Sequence, residues 1–167
     1  MILFRYTIKD TFSGKGLFVS EYIKKGTLVA IFTNNIHVIS EEEFNHVWTD
    51  DNELSEFQQR VRRGGIRLVD DYFLVPQNDQ DPCDFINHSD MPTLLYHCGL
   101  GFARFDLQSG NELTCDYRFF DTATSDNFKN SATGEILTKN KNGRQLLMDS
   151  TRQLLDLLEA SDSNNKD

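Results

Sequence analysis

Residues 84–93 read DFINHSDMPT, which sets four consecutive hydrogen-bonding side chains, Asn87, His88, Ser89 and Asp90, directly behind the apolar pair Phe85 and Ile86. Asn, Ser, Asp and Pro are turn formers, so a surface turn accounts for the composition of the stretch. A binding site accounts for it better only if other parts of the chain bring the remaining groups.

The flanks of this stretch are strand-like. IRLV and YFLVP precede it, and TLLYHCGLGFARF and ELTCDY follow it, all rich in β-branched, aromatic and Leu residues. Further back, residues 2–38 carry ILFRYTIK, GLFVS and TLVAIFT, broken by Ser13-Gly14-Lys15-Gly16 and Lys24-Lys25-Gly26, the grammar of a β-meander. The period changes at Ser40. Ser40-Glu41-Glu42-Glu43 is a capping box, and Phe44, Val47 and Trp48 fall at i, i+3 and i+4, so a helix is expected there. A second helix is expected over Leu54, Phe57 and Val61, stopped by Gly64-Gly65. Residues 40–65 therefore read as a helical insert between two β regions, with charged runs at Glu41 to Glu43 and Arg60 to Arg63. Residues 144–159 should form an amphipathic helix with Leu147, Thr151, Leu154 and Leu158 on one face, followed by a frayed polar tail. VSEYIKKGTLVA and RFDLQSGNELTC share one pattern, an apolar anchor and a Gly-containing turn between strands, and predict two similar corners.

At 167 residues the chain is of single-domain size. Its 13 Phe predict a Phe-heavy core. Seventeen basic against 26 acidic residues give a net charge of -9, which disfavours direct nucleic-acid binding and suits cationic partners. The three cysteines, Cys83, Cys98 and Cys115, form no Cys-x-x-Cys pair, so neither a disulfide framework nor a structural metal cluster is expected. MILFRYTIKD lacks the apolar run of a signal peptide and no stretch approaches membrane-spanning length, so the chain reads as soluble and intracellular, cytoplasmic or nuclear.

Several chemistries compete for the polar residues. Ser13-Gly14-Lys15-Gly16 lacks both phosphate-loop and dinucleotide spacings, yet a Gly-x-Gly between strands lets backbone approach a ligand closely. Cys83, His88, His97 and Cys98 match no standard zinc spacing. Nucleophilic catalysis by Cys83 or Cys115 with His88 stays open on spacing alone.

Three stretches taken in order carry a resemblance. Gly14-Lys15-Gly16-Leu17-Phe18, then Phe85-Ile86-Asn87-His88-Ser89 with Pro92, then Gly110-x-Glu112-Leu113-Thr114-x-Asp116-Tyr117 resemble the motifs of the SET-domain protein lysine methyltransferases. The resemblance spans about residues 3–121. It departs from the family's Asn-His-Ser-Cys-x-Pro-Asn at Asp90 and Thr93, has Asp84 where Arg is common and Cys115 where Phe or Tyr is common, and is followed by Phe119-Phe120 instead of a cysteine-rich zinc segment.

The resemblance implies a mainly β, β-clip-like fold of small curved sheets with a pseudoknot, a helical insert and a C-terminal helix. Residues 1–121 would form the SET domain and residues 122–167 an extension. It implies S-adenosyl-L-methionine as cofactor, held by Lys15, Gly16, Leu17, Asn87, His88, Tyr117 and Phe120, with no metal. It implies Tyr117 as the catalytic residue and Cys115, Tyr72 and Phe119 along a substrate channel. A lysine amine with pKa about 10.4 must lose its proton before it attacks a methyl group, and a narrow apolar channel favours the neutral form. The partner so implied is a protein with a basic lysine-containing segment, such as a histone tail. A different class also fits the altered motif: a non-catalytic SET-like interaction module.

Overall fold

The computed structural model describes residues 1–12, 14–32, 36–49, 66–69, 72–76, 81–120 and 143–163. The second predicted helix, with Leu54, Phe57 and Val61, and the basic run lie outside the described residues, as do residues 164–167 of the expected tail, whose first residues, Ser161 to Ser163, are helical instead of frayed.

The three predicted strands are present as β1 (Tyr6–Thr11), β2 (Gly14–Val19) and β3 (Leu28–Ile31), but they form no meander, because β3 lies in a different sheet from the β1-β2 hairpin. β1 and β2 pair antiparallel from Tyr6 opposite Val19 to Thr11 opposite Gly14. Among the described residues of this hairpin Gly16, Leu17 and Val19 are buried, and β1 is largely exposed.

β4 (Ile36–Ser40), β5 (Ile66–Val69) and β6 (Tyr72–Pro76) make a separate sheet in the order β4-β6-β5. This sheet flanks the expected insert, with α1 (Glu41–Thr49) leaving directly from the end of β4. The capping box is made in both directions. Ser40 N–H donates to Glu43 Oε2 at 2.8 Å, and Glu43 N–H donates to Ser40 Oγ at 3.2 Å, satisfying donors that the first helical turn leaves free.

After a 3-10 turn at Pro82–Phe85 the chain enters the two-residue strand β7 (Asn87–His88), then β8 (Leu94–His97) and β9 (Leu100–Ala103). The run TLLYHCGLGFARF is thus a hairpin and not one strand. Cys98 and Gly99 both have positive φ, 47° and 82°, the backbone of a tight two-residue hairpin turn whose twist matches its strands. β3, β9 and β8 form one sheet. ELTCDY contributes only β10 (Thr114–Cys115), because the chain turns into a 3-10 helix at Tyr117–Phe120. β10 lies parallel to β7, the contact on which the expected pseudoknot rests.

The two predicted corners pack against each other as a reciprocal pair. Ile23 and Leu107 exchange backbone bonds at 2.9 and 2.8 Å; Gly26 N–H donates to Ala103 O and Gly110 N–H to Val19 O, both at 2.8 Å. Ala103 N–H returns to Thr27 O and Val19 N–H to Asn111 O. Each bond in one corner has its counterpart at the same spacing in the other, and the anchors Ile23 and Leu107 are both buried.

The C-terminal helix α2 (Gly143–Ser163) exceeds the predicted length and buries a different face. Leu146, Ser150 and Leu157 are buried, whereas Thr151 and Leu158 of the expected face are exposed. Polar partners set this rotation: Ser150 Oγ lies 3.0 Å from His97 Nδ1, and Arg104 donates to Gln153 Oε1 at 3.1 Å. With leucines on both faces of the helix, hydrophobic periodicity did not separate these registers. Among the described residues aliphatic side chains outnumber rings in the core, where Phe44 is the one buried Phe. Leu17, Val19, Ile23, Val29, Leu94, Leu107 and Leu113 fill it, while Phe4, Phe32, Phe85 and Phe119 pack partly buried around it.

Candidate active site

The three motifs that lie far apart in sequence meet along residues 110–116. On one side this segment bonds β2, with Val19 N–H donating to Asn111 O at 3.0 Å and Leu113 N–H to Leu17 O at 2.7 Å. On the other it pairs with β7, Thr114 opposite Asn87 and Cys115 opposite His88, and Ser89 N–H donates to Cys115 O at 3.0 Å. Thr93, a departure from the family pattern, strengthens the join. Its hydroxyl donates to Glu112 O at 3.0 Å and accepts from Thr114 N–H at 2.8 Å, and its own N–H donates to Thr114 Oγ1 at 3.0 Å.

Gly16, Asn87 and Glu112 form the first cluster. Asn87 Nδ2 donates to Glu112 Oε1 at 2.8 Å and to Lys15 O at 3.2 Å. Both partners are acceptors, so the amide orientation follows from the chemistry, and the Asn87 carbonyl oxygen is the atom these bonds leave available. A Cβ at Gly16 would lie 2.5 Å from Glu112 Oε1 and 2.7 Å from Thr11 Cγ2. Glycine is required here by close approach. The cradle has an acceptor oxygen and strand backbone on one side, an arrangement that suits a ligand carrying an ammonium group.

His88 and Tyr117 form the second cluster. Tyr117 N–H donates to His88 Nδ1 at 3.1 Å, and Tyr117 Oη donates to Ile86 O at 2.6 Å. The two rings stand 5.5 Å apart, tilted by 52°. Burial raises the Tyr117 phenol far above its ordinary value, with Cys115, Asp84 and Glu112 adding to the shift. The hydroxyl is consequently neutral, a fixed dipole and not a base.

The other expected site residues are spread more widely. Lys15 is exposed and contributes its carbonyl oxygen, whereas Leu17 is fully buried beneath the cradle. Cys115 sits in the core next to the Asn87–Glu112 level, and Phe119 packs partly buried against the same core. Phe120 ends the 3-10 turn after Tyr117. Tyr72 is 53% exposed at the start of β6, in the separate sheet, where it pairs with Ser40 and Val69.

Two of the competing chemistries fail on this geometry. Gly14-Lys15-Gly16 lies within β2 and precedes no helix. Burial pushes the Cys83 thiol up to about 12 and the Cys115 thiol well above its ordinary range, so neither offers a thiolate to His88. Among the described residues no three His, Cys, Asp or Glu side chains are placed to hold a metal ion. Sequence reasoning passed over Glu112 and Thr93 as contributors. The Gly-x-Glu-Leu-Thr spacing names Glu112, but its contact with Asn87 spans 25 residues and is created by the fold.

The sequence model of the SET domain matches residues 14–118, more than half of the chain. The chain belongs to the SET-domain family. Among solved structures, it is similar to the methyltransferase domain of the human histone-lysine N-methyltransferase SETMAR, with 24% identity over 70% of this chain and 45% of that one, TM-score 0.49. It is also similar to the Neurospora SET domain protein DIM-5, a histone lysine methyltransferase, with 21% identity over 70% of this chain and 53% of that one, TM-score 0.49. The chain spans about half the length of these two proteins. No curated protein matches the sequence.

Proposed function

We propose that this chain is a protein lysine N-methyltransferase that uses S-adenosyl-L-methionine and acts on a basic, lysine-bearing segment of the histone-tail kind. The observation that carries the reading is the meeting of Gly16, Asn87 and Glu112 with His88 and Tyr117 along one segment, in a chain of the SET family. When bound, the cofactor supplies a methyl group activated on a sulfonium sulfur.

This chain's residues then bind and orient. The Asn87 carbonyl oxygen would accept from the cofactor's ammonium, while its amide is committed to Glu112 and Lys15. The backbone at His88 and along residues 15–17 would line the same cradle. A substrate lysine amine gives up its proton to water before attack, since the protonated form has no lone pair. Tyr117, whose hydrogen is held on Ile86 O, turns oxygen lone pairs toward an amine N–H and limits the angle at which nitrogen approaches. With the cofactor bound, transfer would make a C–N bond to the lysine nitrogen and break the C–S bond, releasing S-adenosylhomocysteine, and this chain's part is to hold amine and methyl in line.

The charge of -9 supports a cationic partner. Among the described residues no helix is long and apolar enough to cross a membrane, and a cytoplasmic or nuclear setting suits the proposed substrate. The test is transfer of radiolabelled methyl groups from S-adenosyl-L-methionine to histones and to a cell lysate, with calorimetry against S-adenosylhomocysteine. Transfer to lysine, located by mass spectrometry, supports the reading. Binding of the homocysteine product without transfer to any protein would assign the chain to the non-catalytic class.

A further inference from the structure

The ends of the second and third motifs are tied by contacts that the proposed chemistry does not use. His88 is buried, and because its Nδ1 accepts the Tyr117 N–H, the neutral ring carries its hydrogen on Nε2. Nε2 is enclosed without a hydrogen bond of ordinary length and faces Asp90 Oδ1 at 3.5 Å. Asp90 is held by Arg118, Nη2 to Oδ1 at 3.1 Å. Arg118 is braced on Asp116, whose Oδ1 accepts from both Nε at 2.7 Å and the backbone N–H at 3.0 Å. The same Oδ1 lies 4.0 Å from His88 Nδ1.

These contacts close a ring of interactions around one imidazole. Asp90 comes from the turn after β7, and Asp116 and Arg118 flank Tyr117, so the Asp90–Arg118 pair joins two separate motifs across the His88 ring. Asp90 and Arg118 are both nearly half exposed, and such a pair adds little to global stability. Its local effect is larger, because a rotation of the buried ring would remove the acceptor for Tyr117 N–H.

We propose that Asp90 and Arg118 are positioning residues, an ion-pair clasp that orients His88 and through it holds Tyr117 at the methyl-transfer site. The clasp takes the place of the Cys that the family motif carries at position 90. This inference rests on the methyltransferase reading of Tyr117.

The test combines imidazole nitrogen NMR on the full chain with single-turnover kinetics. The wild-type His88 ring should show the Nε2–H tautomer. Asp90, Asp116 and Arg118 are the charged groups that face it, so Asp90→Asn should lower its titration midpoint and Arg118→Gln should raise it, in opposite directions. Both variants should lose about tenfold in turnover, with unchanged S-adenosylhomocysteine affinity and thermal unfolding close to wild type. The double variant should lose no more than the worse single one, as expected of one device.

A ring whose tautomer and midpoint ignore both substitutions overturns the clasp, as does turnover within twofold of wild type in both folded variants. If wild-type protein transfers no methyl group, the functional reading fails separately. The clasp is then judged on the ring: opposite shifts support it, and an unmoved ring overturns it.

Discussion

The corner that runs from Val19 to Thr27 and the one that runs from Ala103 to Asn111 share a backbone plan, down to the paired bonds of Ile23 with Leu107 and the positive φ of Gly26 and Gly110, 81° and 93°. Their surroundings differ. A Cβ at Gly26 would lie 2.9 Å from Ser161 Cβ on α2, whereas one at Gly110 would meet nothing within 4 Å. The first corner feeds β3, which joins a three-stranded sheet. The second feeds Glu112 and the two-residue β10, which reaches across to β7 and delivers Tyr117. A corner fixes only the direction in which the chain returns. Whether the return strand becomes scaffold or site depends on its neighbours, an antiparallel sheet partner in one case and a short parallel contact lined with polar groups in the other.

The sharpest way to break this contrast is to remove the function of the second corner while keeping its shape. Tyr117→Phe keeps the ring and deletes the hydroxyl, and single-turnover transfer should fall about a hundredfold to a thousandfold, the usual effect of losing one preorganised group. Cofactor affinity should hold. Near wild-type turnover in a folded variant would remove Tyr117 from the mechanism.

Asn87→Ala should come next. It deletes bonds to Glu112 and Lys15 and the acceptor proposed for a charged ligand, worth about 1.5 to 3 kcal/mol. Calorimetry should show S-adenosylhomocysteine weakened by about one to two decades, and an unchanged affinity would move the cofactor site elsewhere.

The two corner glycines compare directly. Gly110→Ala should cost about 1–2 kcal/mol, the strain of a side chain in left-handed backbone. Gly26→Ala carries the same strain plus the clash with Ser161, so chemical denaturation should show a larger loss. Equal losses would mean that α2 yields freely at its end.

The smallest effect is in pH. Burial, the first cause in each case, holds His88 and His97 below their ordinary 6.5; Asp116 and Asp90 oppose it at His88 without reversing it. The folded state therefore favours neutral rings. Their contribution is complete above 6.5 and is lost as pH falls through the lower folded values. Thermal unfolding should shift down on acidification through that window. His97→Gln should reduce the slope while leaving the His88 side intact, and a profile flat below the ordinary histidine value would contradict both shifts.

Much of this was legible beforehand for identifiable reasons. The capping box at Ser40 and Glu43, the strand-turn punctuation and the two corners are local patterns, written within a few residues. The helix face of α2 was read one position out, because leucines occupy both candidate stripes and the deciding partners, His97 and Arg104, lie about 50 residues away. A Phe-heavy core follows from composition alone, which counts rings without saying where the fold places them.

Local patterns along the chain are enough to place a β-rich member of the SET family, the positions of its turns, and Gly16, Asn87 and Tyr117 as residues of interest. It takes the folded chain to commit the Asn87 amide to Glu112 and leave its carbonyl oxygen, to set Thr93 as the stitch between the third motif and the second, and to bring Asp90 to Arg118. Local conformation depends on neighbours in the chain and leaves a periodic signature. Contacts between β2, β7 and residues 110–116 depend on closure of loops of 25 residues and more, whose cost is repaid only when every partner arrives together.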